Sequence, residues 1–221
     1  MLSRHDLVWL NGAGWDAALE GALEGAHATD RAVLDEWRNK DWPLVATRMA
    51  PDAAAGTLCL GLSAPPQPGS AARRRIALRA PAAGMARSSR ALPLAEAIAS
   101  APVVWQPALS ALREQARGLD LRVYGSLALQ TLTGHAYVGP NSDIDLLFTP
   151  ASKQELMEGV RMLETQALQL PLDGEIVFPG GAAVAWKEWL MATAGGARVM
   201  VKDSAVVRLA TTESLLASFH D

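Results

Sequence analysis

The sequence is nearly devoid of cysteine: Cys59 is the single one among 221 residues. An internal disulfide is therefore impossible, and no Cys/His set has the spacing of a zinc site. No apolar run approaches the roughly 20 residues that cross a bilayer. The N-terminus carries Arg4, His5 and Asp6 where a secretory signal would need an apolar stretch, so we expect a soluble, cytoplasmic protein.

Acidic residues are missing from residues 53–95, which carry six arginines. The six are Arg73, Arg74, Arg75, Arg79, Arg87 and Arg90. The whole chain has a net charge of -3, which argues against bulk nucleic-acid binding. The positive block itself favours a phosphate-bearing ligand held by guanidinium groups. A solvated arginine-rich loop is the alternative interpretation.

Patterns typical of strands and helices alternate along the chain, which predicts an α+β or α/β fold. Residues 15–37 have a helical pattern, and Ser152 with Glu155 forms a capping box at the start of another helix. Residues 81–93 are rich in Pro, Gly and Ala and form the best candidate linker. We therefore predict two domains, residues 1–90 and 91–221.

The strongest chemical signal is a pair of aspartates, Asp143 and Asp145, in an otherwise apolar strand. Side chains at i and i+2 of a strand lie on one side, so both carboxylates are expected on the same face. Like charges this close favour a bound cation. Magnesium suits the pair because it needs only one or two carboxylates and completes its octahedron with water and phosphate.

A glycine–serine pair, Gly125-Ser126, lies 17 residues before the aspartates, at the end of a predicted strand. Glycine permits close backbone approach, and Ser126 is predicted to cap a helix whose N-terminal amides attract an anion. Phosphate held there, beside magnesium on the aspartates, predicts a phosphoryl or nucleotidyl transfer site.

A third carboxylate is expected from a neighbouring strand, residues 170–178. Glu175 is favoured because Ile176 follows it in a strand-like setting. Asp173, before Gly174, is the alternative and could equally be a turn residue. Glu175 or one of the paired aspartates could serve as general base.

Residues 107–210 resemble the nucleotidyltransferase superfold of DNA polymerase β, through the Gly-Ser helix and the paired aspartates. This resemblance implies a C-terminal catalytic domain with a small mixed sheet and flanking helices. The whole chain is similar to the malonate decarboxylase holo-acyl-carrier-protein synthase (phosphoribosyl-dephospho-CoA transferase) family. That likeness rests on residues 4–10 and 42–45, the triple arginine at 73–75, and residues 124–126, 143–147 and 173–175.

The family resemblance implies an enzyme that moves a 2'-(5-triphosphoribosyl)-3'-dephospho-CoA group onto a serine of the decarboxylase's acyl carrier protein, releasing diphosphate. The aspartate pair would be catalytic, and the N-terminal domain would bind substrate. Magnesium is the expected cofactor, with no membrane or nucleic-acid partner. The expected phosphate-binding residues are Gly125, Ser126, Arg73, Arg74, Arg75 and Lys202. Another nucleotidyltransferase, acting on a small molecule or RNA, and a catalytically dead binding module are the alternatives.

Overall fold

The computed structural model describes residues 2–23, 28–66, 74–192 and 197–219. The chain divides into two compact units, Met1–Arg90 and Ala91–Asp221, here called the N-terminal and C-terminal units. Each unit contains its own sheet together with helices, and the predicted two-domain α+β class is confirmed. No helix in the described ranges is both long and apolar enough to cross a membrane.

The N-terminal unit is built on a five-stranded sheet of order β4-β3-β2-β1-β5, in which all neighbours are antiparallel. Its elements are β1 Leu7–Leu10, α1 Gly12–Leu23, α2 Ala28–Asn39, β2 Leu44–Ala46, β3 Thr57–Ser63, β4 Arg75–Pro81 and β5 Met85–Ser89. Val8, Leu34 and Trp37 are fully buried in this unit.

Two expectations for the N-terminal unit change. The helical pattern over residues 15–37 belongs to two helices, α1 and α2, on either side of residues 24–27, which lie outside the described residues. The predicted linker at residues 81–93 contains the boundary between the two units, after Arg90, but it is not an open loop, because β5 lies within it and pairs with β1 along the edge of the sheet. Small residues there predicted a loop, yet the ladder with β1 satisfies their backbone groups.

The C-terminal unit is built on a seven-stranded mixed sheet of order β12-β11-β10-β9-β8-β7-β6. Its strands are β6 Leu92–Pro93, β7 Asp120–Tyr124, β8 Ile144–Thr149, β9 Leu172–Val177, β10 Ala183–Ala185, β11 Arg198–Lys202 and β12 Val207–Thr211. Its helices are α3 Leu94–Ala97, α4 Gln106–Gln115, α5 Gly125–Thr133, α6 Lys153–Gln166, α7 Trp186–Met191 and α8 Thr212–Leu216. The pair β8–β9 is parallel, and the other pairings are antiparallel.

One face of this sheet carries the apolar core. Ile144, Leu146 and Phe148 of β8 are almost completely buried and belong to a cluster that includes side chains of α4, α5 and α6. Because strand side chains alternate, Asp145 and Leu147 point to the opposite face, here called the polar face after its carboxylates. The candidate site lies on that face.

The predicted capping box at the start of α6 is confirmed. The N–H of Glu155 donates to Ser152 Oγ at 3.1 Å, and Glu155 Oε2 accepts from the N–H of Ala151 at 2.8 Å. These bonds satisfy amides that the first turn of a helix leaves without intrahelical partners. The cap fixes where the chain turns from β8 into α6.

Candidate active site

The paired aspartates lie at the start of β8. Asp143 is exposed and immediately precedes the strand, and Asp145 is half-buried within it. Between them, Ile144 is fully buried in the core and donates its N–H to the carbonyl of Pro171 at 2.8 Å. The burial of Ile144 fixes the register of the strand and leaves Asp145 on the polar face.

Gly125 lies directly against the side chain of Asp145. The strand residue before it, Tyr124, is the register partner of Asp145, and Gly125 has a φ of 67°. A Cβ on Gly125 would lie 2.9 Å from Asp145 Cγ and closer still to Oδ2. Glycine is therefore required twice over, for the left-handed backbone and for the space that the carboxylate occupies.

Helix α5 starts at Gly125, two residues earlier than a cap at Ser126 implies. Tyr124 is the N-cap residue, with extended backbone and no side-chain hydrogen bond to the first turn. The prediction that Ser126 caps the helix is wrong, because Ser126 is its second residue and is buried. The positive φ of Gly125 turns the chain from the end of β7 directly into α5.

On the other side of Asp145 lies Asp173 of β9. The two aspartates are direct register partners in the parallel pair β8–β9, so their side chains share the polar face. Asp173 is therefore a strand residue and not part of a turn. Gly174, with a φ of 129°, faces Leu146, and a Cβ there would lie 2.5 Å from the Leu146 backbone nitrogen and closer to its carbonyl oxygen. The glycine permits this close approach of the two strands.

Glu175 and Lys202, both predicted as site residues, form an ion pair. Lys202 Nζ lies 3.0 Å from Glu175 Oε1, and Glu175 is only 4% exposed. Glu175 pairs in register with Leu147 and Ala185, two residues farther along β9 than Asp173 and on the same face. Burying a carboxylate is costly unless an opposite charge accompanies it, and the ammonium of Lys202 supplies that charge.

Sequence reasoning did not single out Lys187, which lies in the first turn of α7. Its Nζ is 3.5 Å from Asp173 Oδ1 and 5.7 Å from the centre of the Trp186 ring. Each of the two β9 carboxylates on the polar face therefore has a lysine beside it. No local sequence motif predicts this contact, because it joins residues 14 positions apart through the turn between β9 and β10.

Gln130 was also missed, although it fixes the loop that leads into Asp143. Its Oε1 accepts the backbone N–H groups of Tyr137 at 3.0 Å and of Val138 at 2.9 Å, and its Nε2 donates to the carbonyl of Ser100. The Tyr137 side chain is buried as well. Helix α5, which begins against Asp145, thus also holds the segment before Asp143.

The predicted phosphate-binding arginines belong to the N-terminal unit. Arg73 lies outside the described residues. Arg74 Nε lies 2.8 Å from Asp30 Oδ1, as an ion pair that is not aligned as a hydrogen bond. Arg75 is exposed on β4, which is an edge strand of the first sheet. Their role as phosphate ligands stays a prediction.

The oxygen donors on the polar face suit magnesium chemically. Magnesium prefers one or two carboxylates together with water and phosphate oxygens, which Asp143 and Asp145 satisfy without a cage of protein ligands. Among the described residues, no group of three or more His, Cys, Asp or Glu side chains is placed to hold a metal ion, so the expected third carboxylate does not form a ready-made cluster with the aspartate pair. The space left by Gly125 is filled by the carboxylate of Asp145.

Comparison with known proteins identifies the family. Family models match nearly the whole chain: the phosphoribosyl-dephospho-CoA transferase MdcG N-terminal domain at residues 3–91 and the MdcG C-terminal domain at residues 93–213. A phosphoribosyl-dephospho-CoA transferase of Bradyrhizobium diazoefficiens is 40% identical over 190 residues, covering 84% of this chain and 80% of the relative. No solved structure matches the chain.

Two Xanthomonas proteins of the same name match over greater lengths. That of Xanthomonas axonopodis pv. citri is 37% identical over 95% of this chain and 94% of its own length. That of Xanthomonas campestris pv. campestris is 38% identical with the same coverage. With both family models and full-length relatives in agreement, the chain belongs to the phosphoribosyl-dephospho-CoA transferase MdcG family and is a transferase enzyme.

Proposed function

We propose that this enzyme transfers the 2'-(5-triphosphoribosyl)-3'-dephospho-CoA group to a serine of the apo acyl carrier protein of malonate decarboxylase, in the cytoplasm. Three curated relatives that share 37–40% identity with it are named phosphoribosyl-dephospho-CoA transferases. The structural observation that carries the proposal is the contact of Asp145 with Gly125, which joins a carboxylate to the start of a helix.

The reaction is a substitution at phosphorus. The serine Oγ forms a bond to the α-phosphorus, the bond from that phosphorus to the diphosphate oxygen breaks, and the serine proton passes to a base. The products are a phosphodiester on the carrier protein and free diphosphate. Such a reaction depends mainly on positioning and on stabilising charge on the phosphate oxygens.

Asp143 and Asp145 would hold magnesium at the start of β8. When bound, magnesium neutralises charge on the triphosphate and lowers the pKa of the attacking hydroxyl. Asp173 is supported as the third carboxylate over Glu175, because it is the direct register partner of Asp145 while Glu175 is paired with Leu147. The exposed Asp143 and the half-buried Asp145 are accessible candidates for the base.

The first turn of α5 would bind a phosphate group. The N-cap residue, Tyr124, makes no side-chain cap to this turn, and an α-helix N-terminus attracts negative charge. Gly125 and Ser126 begin this turn, and the nearby Asp145 would hold the cation that compensates the same phosphate. The helix and the carboxylate would therefore act on one ligand from two sides.

Lys202 would bind a second phosphate of the donor. Its ammonium has three donors, of which the bond to Glu175 uses one. Glu175 would orient Lys202 towards the polar face, and the role of Glu175 as a metal ligand or base is the alternative that substitution tests. Arg73, Arg74 and Arg75 are proposed as ligands of the CoA-derived part of the donor.

Mass spectrometry of an apo carrier protein tests the proposal. Incubation with this enzyme, magnesium and the triphosphoribosyl donor is expected to add the donor group less diphosphate to the carrier protein. Labelled ATP or CTP in place of that donor should give no transfer. Transfer from ATP or CTP to a small molecule or RNA would instead show a nucleotidyltransferase of another kind, and tight triphosphate binding without any transfer would show a binding module.

A further inference from the structure

Exposed apolar side chains are concentrated in the hairpin formed by β11 and β12. Met200 is 44% exposed, Val207 47% and Leu209 60%, and Val206 in the intervening turn is also half-exposed. Clusters of exposed apolar side chains on a soluble protein commonly mark interaction sites, whereas isolated ones are ordinary. Four within ten residues therefore call for a physical explanation.

Three of these side chains share the polar face with the candidate active site. Met200 pairs in register with Leu209, and Val207 pairs with Lys202, whose ammonium is bonded to Glu175. Partners in a ladder point to the same side of a sheet. We call the surface formed by Arg198, Met200, Val207 and Leu209 the hairpin face.

The exposure does not arise from frayed strands. On the opposite side of the same hairpin, Val199 and Val201 are fully buried in the core, and Ala210 is buried as well. Five register pairs run along the hairpin, from Arg198–Thr211 to Lys202–Val207. The core thus fixes the orientation of the strands and holds the hairpin face outward.

The hairpin also forms an edge of the sheet, because β12 is the terminal strand. An edge strand with exposed apolar side chains promotes unwanted association unless a partner uses it or charges protect it. Arg198 is exposed on the same side of β11 as Met200, so a positive charge borders the apolar side chains. The surface is therefore apolar at its centre and basic at its margin.

Arg198 gives the hairpin face its positive charge. The other two basic residues of the hairpin have acidic partners, because Lys202 is paired with Glu175 and Arg208 Nε lies 3.9 Å from Asp203 Oδ2. The nearby Glu188 accepts the backbone N–H of Met200 through its Oε1. Because residues 91–221 contain nine basic and fourteen acidic residues, an exposed arginine bordering an apolar surface is a local exception that favours a partner with a carboxylate at this position.

We propose that the hairpin face docks the carrier protein, through a surface of that protein with apolar side chains bordered by carboxylates. This inference rests on the proposed function, which requires a protein serine to reach the polar face. The hairpin face adjoins Lys202, so a partner seated there would lie beside the proposed phosphate ligands. The apolar contacts would supply affinity, and Arg198 would select the acidic partner.

The test measures transfer kinetics with carrier protein and donor varied separately. Leu209→Asp places a carboxylate in the centre of the face, and Arg198→Glu reverses the charge at its margin. Each is expected to raise the KM for carrier protein by at least about tenfold, with the KM for donor unchanged. The matched control is Leu168→Asp, at an 85% exposed site outside the hairpin, which should leave both constants unchanged.

Every other result overturns the docking surface. An unchanged KM for carrier protein in both variants contradicts it, as does an equal change in Leu168→Asp. A fall in unfolding temperature in Leu209→Asp alone would show that the hairpin face packs within this chain. Loss of a dimer in sedimentation, with the carrier-protein KM unchanged, would assign the face to self-association. Failure of the proposed function is distinct, since the wild-type enzyme would then not modify the carrier protein at all.

Discussion

The side chain of Asp145 occupies the space that a side chain on Gly125 would need. A Cβ on residue 125 would lie 2.9 Å from the Asp145 Cγ. The carboxylate proposed to bind magnesium and the first residue of the helix proposed to bind phosphate are thus in direct contact. A shift of the Asp145 side chain towards Gly125 would displace the start of α5, so the positions of the proposed magnesium site and the proposed phosphate site are coupled.

Gly125→Ala should separate this contact from ordinary glycine strain. We expect transfer to fall by about a hundredfold, because a displacement of about an ångström at a reacting centre has effects of that size. The control is Gly134→Ala at the other end of α5, where φ is 76° and no atom lies within 4 Å of an added Cβ. Both variants should lose about 1–2 kcal/mol of stability through the left-handed backbone, and Gly125→Ala should lose more because its Cβ would overlap the Asp145 carboxylate. Equal activities in transfer assays would contradict the role of the contact.

Lys202→Met should impair activity and stability together, because it leaves the buried carboxylate of Glu175 without its cation. We expect kcat/KM to fall about 100-fold or more and the free energy of unfolding to fall by about 1–3 kcal/mol. Adding Glu175→Leu removes the buried carboxylate that has lost its cation, and it should restore stability without restoring transfer. Denaturant unfolding and steady-state kinetics measure the two effects. Recovery of transfer in the double variant would show that Lys202 serves only to neutralise Glu175.

Asp173→Asn and Glu175→Gln distinguish the two candidates for the third carboxylate. The register of Asp173 with Asp145 predicts that Asp173→Asn raises the magnesium concentration for half-maximal transfer more than Glu175→Gln does. Both amides keep the shape of the side chain, so unfolding temperatures serve as the control. The opposite order in magnesium titrations would make Glu175 the metal ligand.

Gln130→Leu should loosen the loop before Asp143 by removing the acceptor for Tyr137 and Val138. The expected result is a fall in kcat of about ten- to a hundredfold with a smaller change in the KM for donor. Gln130→Glu, which keeps the acceptor for Tyr137 and Val138 and loses only the donor to the Ser100 carbonyl, should retain more activity than Gln130→Leu. The control is Thr131→Val, which removes only a bond within α5 to the Leu127 carbonyl. An equal kcat in Gln130→Leu and Thr131→Val would contradict a positioning role.

The parts of the fold that local patterns determine were predictable from the sequence. The capping box at Ser152 and Glu155 is one such part, because it acts over three residues. The alternation around Ile144 is another, because burial of that residue dictates where its neighbours point. The similarity to the transferase family could be recognised as well, because each of its motifs is a continuous stretch of sequence.

Contacts between distant residues could not be predicted in the same way. The pairings of Lys202 with Glu175 and of Lys187 with Asp173 depend on how β9, β10 and β11 assemble. Gly174 illustrates the difficulty, since a glycine after an aspartate is typical of a turn but here permits close packing of two strands. The register between strands, which the local sequence pattern does not reveal, decides whether such a glycine lies in a turn or within a strand.

The measurement that tests the account most directly is the intact mass of the carrier protein after incubation with wild-type enzyme, Asp143→Asn or Asp145→Asn. With magnesium and the triphosphoribosyl donor present, wild-type enzyme should convert the carrier protein to a species heavier by the donor group less diphosphate. Both variants should unfold at the wild-type temperature and leave the carrier protein unmodified. Near wild-type conversion by either variant would contradict the assignment of the aspartate pair.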